Sequence, residues 1–280
     1  AMMLIGEVWE KYKFNLTIGD LVEHSTISAL AQHIGQAEAN RGLVMPLNKP
    51  YEGQASLFML PPILGTPVVF YALAHLLEAQ DVNCYGLQYK GFAQEETLDK
   101  DIETMAQSFF VEMQTQLSHI PQPITILGYS MGALIGFELV HLLEQAGYTC
   151  QLILLDKEAF SADNRAFRVT LQKDNRAVAQ KLWETHCRNT GLQFSASEDR
   201  RMQHFLWHYW SVHNQYLLTK KIEAPILAIE AAQEKDNAMK AWKKYTKGRF
   251  ERHKLPTDHF GLLQEQYLPK IVDWFMRWRK

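Results

Sequence analysis

Cysteine is scarce in this chain: Cys84, Cys150 and Cys187 are the only three in 280 residues, and no two of them form a CxxC pair. An odd, widely spaced set leaves one thiol unpaired in any disulfide scheme, so neither a disulfide framework nor a metal site is expected. Reduced, partly buried thiols of a cytoplasmic protein are the expectation. An excess of one charge is also missing, with 29 basic against 31 acidic residues and a formal net charge of −2. That balance points to neither nucleic acid nor a membrane as partner. Long apolar runs are absent. The longest, LFMLPPIL over residues 57–64, holds two prolines and falls far short of the roughly 20 residues a membrane-spanning helix needs. The opening AMMLIGEVWEKYK has a short apolar stretch with no basic segment ahead of it and no small-residue cleavage site behind it, so a secretory leader is not expected. Repeats and low-complexity segments are lacking too. What is present is a composition of 47% hydrophobic and 21% charged residues, enough to bury a real core.

The chain divides by pattern. Residues 1–38 read as helical, with Leu4, Ile5, Val8 and Trp9 on one amphipathic face. Ser25-Thr26 offers a cap for a second helix carrying Ile27, Leu30, Ala31 and Ile34. Residues 39–55 are polar, aperiodic and contain Gly, Pro and Asn, which predicts a linker. From residue 56 to 280 short apolar segments alternate with amphipathic ones. SLFML, VNCYGL, PITIL, QLILL, PILAIE and FERHKL predict strands. Helices are predicted from Pro67 (with Thr66 as cap) to about Glu78, over 101–118, from Met131 to Gln145 with Gly147 closing it, and over 267–279. Strands alternating with helices predict an α/β fold, a mostly parallel central sheet with helices on both faces. The helical, aromatic-rich stretch 157–220 interrupts that rhythm and predicts a lid.

The chemistry concentrates at GYSMG, residues 128–132, which fits G-x-S-x-G between a predicted strand and a predicted helix. A turn that tight strains the serine backbone and needs small neighbours. Ser130 would stand at the carboxyl edge of the sheet, where the helix N-terminus favours a developing oxyanion. A serine hydroxyl needs a base. His259, in LPTDHFGLL between the last strand and the last helix, can reach that edge; His75, His141, His204, His208 and His213 lie in predicted helices. A carboxylate must orient the imidazole. Asp156 after QLILL and Glu230 at the end of PILAIE occupy equivalent positions on successive strands, and both remain candidates; Asp258 reads as structural. The loop Pro61-Pro62-Ile63-Leu64-Gly65 follows the first core strand. Proline has no N–H, so Ile63 is the first possible donor there. Paired with the N–H of Met131 it would form an oxyanion hole, each donor contributing roughly 3 kcal/mol to transition-state stabilisation. In the lid, Phe205, Trp207, Tyr209 and Trp210 form an aromatic cluster. Packing accounts for such a cluster; contact of Phe205, Trp207 and Trp210 with a substrate chain is the sharper alternative.

With these residues in place, the chain resembles a C-terminal thioesterase domain of a nonribosomal peptide or polyketide synthase, of the α/β-hydrolase fold. LFMLPPILG is similar to that family's first strand and oxyanion loop, CYGLQYKGF to its next strand and turn, GYSMGALIGFELVHLLEQAG to its nucleophile elbow, LLD to its acid and TDHFGLL to its histidine loop. The family carries its acid where Asp156 stands, so the resemblance favours Asp156 over Glu230. It departs at Pro61, where the family has histidine, and at Ile63 and Leu64, where it has small residues. Residues 1–38 resemble the second and last helices of a carrier domain. No serine precedes Ser25, so the phosphopantetheine attachment site is missing and the chain reads as a segment of a longer synthase. The resemblance implies release of an acyl, polyketide or peptidyl chain from the phosphopantetheine of an upstream carrier domain through an acyl-Ser130 intermediate, with no cofactor bound by the thioesterase itself. An editing thioesterase that clears misloaded carriers is the alternative. A non-catalytic module that docks a carrier is the alternative of another class.

Overall fold

The computed structural model describes residues 42–92, 97–160, 175–190, 196–232 and 238–279, together with 4, 8, 16, 20–21 and 24–30. Seven strands form one sheet: β1 (Val44–Pro46), β2 (Ala55–Leu60), β3 (Val82–Leu87), β4 (Ile124–Tyr129), β5 (Cys150–Leu155), β6 (Ile226–Ala231) and β7 (Phe250–Leu255). Their order is β1-β3-β2-β4-β5-β6-β7. All neighbours are parallel except β1, which pairs antiparallel with β3 through Met45 opposite Gly86. Six α-helices follow β1 in the described residues: α1 (Tyr71–Glu78), α2 (Ile102–Leu117), α3 (Met131–Gln145), α4 (Asn175–Thr190), α5 (Ala196–Gln215) and α6 (Leu268–Trp278). This is the mostly parallel α/β sheet anticipated from the alternating pattern, and it has the α/β-hydrolase architecture that the family resemblance implies, with α4 and α5 standing in the predicted lid.

The period of two along each strand sorts the core into two layers. Phe58 and Leu60, Leu152 and Leu154, and Ile226 and Ala228 turn to the face covered by α2, α3 and the lid. Their neighbours Leu57 and Met59, Ile153 and Leu155, and Leu227 and Ile229 turn to the face covered by α1 and α6. Strands buried on both faces read as continuous apolar runs, the form QLILL and PILAIE take in the sequence. Each buried Leu or Ile contributes about 1.5–3 kcal/mol. Local signals set the helix starts. Thr66 accepts from the Val68 N–H ahead of a 3₁₀ turn, Pro67–Phe70, that leads into α1, and Asp101 caps α2 through the Thr104 N–H at 2.7 Å.

Two expectations change. Residues 44–46, read as linker, are the antiparallel edge strand β1. Asn48, just beyond it, donates to Ala74 O and Val82 O and accepts from the Cys84 N–H. A three-residue strand with a terminal proline carries no periodic signal, and only its non-local partner β3 defines it. In the N-terminal segment Thr26 caps a helix over 27–30 through the Ala29 N–H at 3.2 Å, as expected. Ile27, however, is 89% exposed, so it does not belong to the apolar face. Val8 and Leu16 are buried and join the α1/α6 layer. Ile5, Trp9, Ala31 and Ile34 lie outside the described residues, as does the rest of 1–38 apart from 4, 8, 16, 20–21 and 24–30. Of the cysteines, Cys84 and Cys150 are buried and Cys187 is half-buried. Among the described residues no helix is long and apolar enough to cross a membrane.

Candidate active site

The site is built on the carboxyl ends of adjacent strands. β4 ends at Tyr129, and Ser130 turns the chain into α3 with φ 55° and ψ −120°. That left-handed angle is costly for a residue with a Cβ and persists only where the surroundings enforce it. Both flanking glycines are required by contact. A Cβ on Gly128 would lie 2.3 Å from Gly132 O, and one on Gly132 would lie 2.3 Å from Leu60 O and 2.6 Å from Pro61 O. The elbow thus packs α3 directly against the end of β2. The Ser130 N–H donates to Leu155 O at 2.9 Å, and its side chain makes no capping bond to α3. An N-terminal helix serine ordinarily caps; this one keeps its hydroxyl out of the helix.

One strand along, Asp156 follows β5 at φ 44°. Its N–H donates to Ile229 O at 2.9 Å and its Oδ1 accepts from the Ala231 N–H at 2.8 Å. The other oxygen, Oδ2, lies 2.7 Å from His259 Nδ1. A carboxylate at that nitrogen must be the acceptor, so the Nδ1 proton is held there and Nε2 is left as the basic nitrogen. The Asp156 side chain is 8% exposed and the His259 ring 25%. His259 sits in a 3₁₀ turn, His259–Gly261, whose Gly261 N–H is capped by Asp258 Oδ1 at 2.8 Å. From below, Tyr129 donates its hydroxyl to His259 O and packs its ring 5.2 Å from the imidazole. Burial holds the Tyr129 phenol well above the ordinary tyrosine range, and the Asp156 and Asp258 charges add to the shift, so it remains a neutral donor. Tyr129 was not singled out from the sequence. Its signal there is slight, a hydroxyl in the variable position before the serine.

Glu230, the rival acid, is engaged elsewhere. Its carboxylate is 4% exposed and meets Arg252 at 3.0 Å and Lys254 at 3.2 Å, both from β7, and accepts from the Met239 N–H. The alternating cations of FERHKL, which lie beside β6 in register, are the sequence signal for that pairing.

The loop opposite the elbow is tightly held. Gly65, at φ 77°, donates to Pro62 O, and its own carbonyl accepts from the Tyr89 N–H at 3.0 Å. The Tyr89 hydroxyl donates to Pro61 O at 2.6 Å. Ile63 is buried in the same apolar layer as Met131. As the first residue of α3, Met131 has an N–H with no partner inside the helix.

The lid aromatics face their own surroundings. Phe205 is buried against Phe92 and Tyr209 and fills the space beside Gly65. Trp207 lies beneath the Arg176 guanidinium and beside His204. Trp210 lies against His213, with a buried Nε1 that has no acceptor among the described residues. These are contacts with neighbouring side chains of the protein itself. Among the described residues no group of His, Cys, Asp and Glu side chains is arranged to hold a metal.

Comparison with known proteins agrees with this architecture. The chain is 28% identical over 138 residues to microperfuranone synthase from Emericella nidulans, a match covering 48% of this chain and 14% of that one. It therefore spans about a seventh of that synthase. Among solved structures, the type II thioesterase BorB from the borrelidin biosynthetic cluster superposes with a TM-score of 0.62 at 22% identity, over 82% of this chain and 96% of that one. A four-domain nonribosomal peptide synthetase, AB3403, superposes with a TM-score of 0.70 at 18% identity, over 98% of this chain and 23% of that one. The thioesterase domain model matches residues 55–278, which takes in every strand from β2 to β7 and the helices α1 to α6, and the chain belongs to that family.

Proposed function

We propose that the chain is a serine thioesterase that releases an acyl, polyketide or peptidyl chain from the phosphopantetheine of an upstream carrier domain. The observation that carries this reading is the Asp156–His259 hydrogen bond at 2.7 Å, formed at the sheet edge where Ser130 stands on its strained elbow. In the proposed reaction His259 Nε2 takes the Ser130 hydroxyl proton as Oγ bonds to the thioester carbonyl carbon. The carbonyl oxygen, now an oxyanion, accepts from the N–H groups of Met131 and Ile63. Collapse breaks the C–S bond, and the imidazolium proton passes to the departing pantetheine sulfur. Water, or a hydroxyl or amine on the acyl chain, then attacks the acyl-Ser130 carbonyl while His259 takes its proton, and the proton returns to Ser130 as the product leaves. No cofactor of the thioesterase itself takes part. The AB3403 likeness across nearly the whole chain supports an upstream carrier as partner, since it extends through the segment ahead of β2.

The test uses a serine-directed fluorophosphonate and an acyl-loaded carrier. The expected result is one adduct on Ser130, and loss of turnover by at least about 10³-fold in Ser130→Ala. No adduct together with no turnover by the wild-type protein leaves a carrier-docking module instead. Mass spectrometry of the released product separates hydrolysis from cyclisation. The likeness to BorB supports a second reading, removal of misloaded groups. It predicts faster release of short acyl groups than of full-length chains from the same carrier.

A further inference from the structure

The loop that faces the elbow is held at both ends by one residue. Tyr89 donates its side-chain hydroxyl to Pro61 O at 2.6 Å and its backbone N–H to Gly65 O at 3.0 Å. Between these points the Gly65 N–H closes on Pro62 O at 2.9 Å. Pro61 and Pro62 have no N–H of their own and fixed φ, so the loop has few internal bonds with which to hold its shape. The carbonyl of Pro61 also lies against the elbow, where it would be 2.6 Å from a Cβ on Gly132. A shift of Pro61 would therefore move the loop relative to α3.

Tyr89 is itself rigidly set. It is 1% exposed, with its ring 5.5 Å from Tyr209 of α5 and 6.3 Å from Phe109 of α2. The next residue, Lys90, accepts from the Tyr209 hydroxyl through its carbonyl at 3.0 Å, and Arg201 of α5 donates to Gly91 O and Phe92 O. On the far side Phe205 of α5 occupies the space beside Gly65, where an added Cβ would lie 2.5 Å from its ring.

We infer that Tyr89 is a positioning residue for the oxyanion hole, fixing the Ile63 N–H against the Met131 N–H, with α5 backing it. This rests on the reading of Ser130 as nucleophile and Ile63 as donor. Two donors contribute fully only when both point to the place the oxyanion will occupy. Loosening one end of the loop weakens the transition state while leaving ground-state binding nearly as it was.

Tyr89→Phe removes the hydroxyl alone. Tyr216→Phe is the matched control: it removes another buried tyrosine hydroxyl, one that donates to Glu138 Oε1 at 2.6 Å, away from the loop. Turnover of an acyl thioester is divided by active sites titrated with fluorophosphonate, so unfolded protein does not count. The expected result for Tyr89→Phe is a kcat about tenfold lower with KM changed less than about twofold. Affinity for a boronic acid that forms a tetrahedral adduct should fall by the same factor, and Tyr216→Phe should keep the wild-type kcat. Unchanged kcat in Tyr89→Phe, equal losses in both variants, or a loss confined to KM overturns the inference. If Tyr89→Phe does not fold, Phe205→Leu loosens the Gly65 end instead; the same kcat-selective loss supports the inference and an unchanged kcat overturns it. A wild-type protein that neither reacts with fluorophosphonate nor turns over acyl thioesters overturns the functional reading itself, a result distinct from a wild type that is active with an indifferent Tyr89.

Discussion

Asp156 and Glu230 end neighbouring strands with the same charge and differ in what they meet. Asp156 gives one oxygen to backbone and the other to His259, whereas Glu230 is saturated by Arg252, Lys254 and the Met239 N–H. Removing them should therefore have opposite consequences. Asp156→Ala should lower kcat by about 10³–10⁴-fold, because the imidazole loses its tautomer control, with a small change in melting temperature. Glu230→Ala should keep kcat per titrated site but cost about 2 kcal/mol of stability, since the half-buried Arg252 and the buried Met239 N–H lose their partner. Steady-state kinetics and denaturant melts on both variants check the pair. The reverse pattern makes Glu230 the acid.

At the scale of elements, two glycines at opposite ends of α3 serve different needs. Gly147 closes the helix at φ 90° with open space around it, and its N–H and that of Tyr148 satisfy Glu144 O and Leu143 O. Gly147→Ala should cost only about 1 kcal/mol, with normal phosphonate labelling. Gly132 is not left-handed, but backbone carbonyls of Leu60 and Pro61 fill the place of its Cβ. Backbone cannot step aside as a flexible side chain can, so Gly132→Ala should abolish labelling of Ser130 and lower soluble yield. α3 is tied to the rest of the fold midway as well. Its buried Glu138 accepts from Tyr216 at 2.6 Å and from Lys220 at 2.6 Å, anchoring the chain that leaves the lid helix α5. A charge inside an apolar helix is the one sequence sign of such an anchor; its partners lie about 80 residues away.

Across the whole molecule, burial keeps several weak acids protonated. Desolvation pushes the Cys150 thiol up from 9.0 to about 12, with Glu144 adding to the shift. It also raises Cys84, Tyr89, Tyr129 and Tyr216 above their ordinary ranges. In the unfolded chain these groups ionise at their usual values, so above about pH 9 the unfolded state binds fewer protons than the folded one. Their contribution to stability is complete below that pH and is lost as pH rises toward the folded-state values. The melting temperature should fall between pH 9 and 12, and Cys150→Ala should flatten part of that fall in scanning calorimetry.

The sequence determined by itself whatever depends on neighbours along the chain. Alternating apolar segments fixed the layered α/β fold, because each strand must bury both faces and each helix one. Thr66 and Gly147 marked helix ends through bonds spanning a few residues. GYSMG marked a strained elbow because only small residues fit where backbones touch. Tertiary structure alone decided the rest. β1 exists only because β3 lies beside it, and three residues are too few to show a period of their own. Which carboxylate faces His259 depended on where the β7 cations fall. The hold of Tyr89 on the loop after β2 joins residues 28 apart, and nothing in local pattern encodes a contact that forms only after the sheet has brought β2 and β3 together.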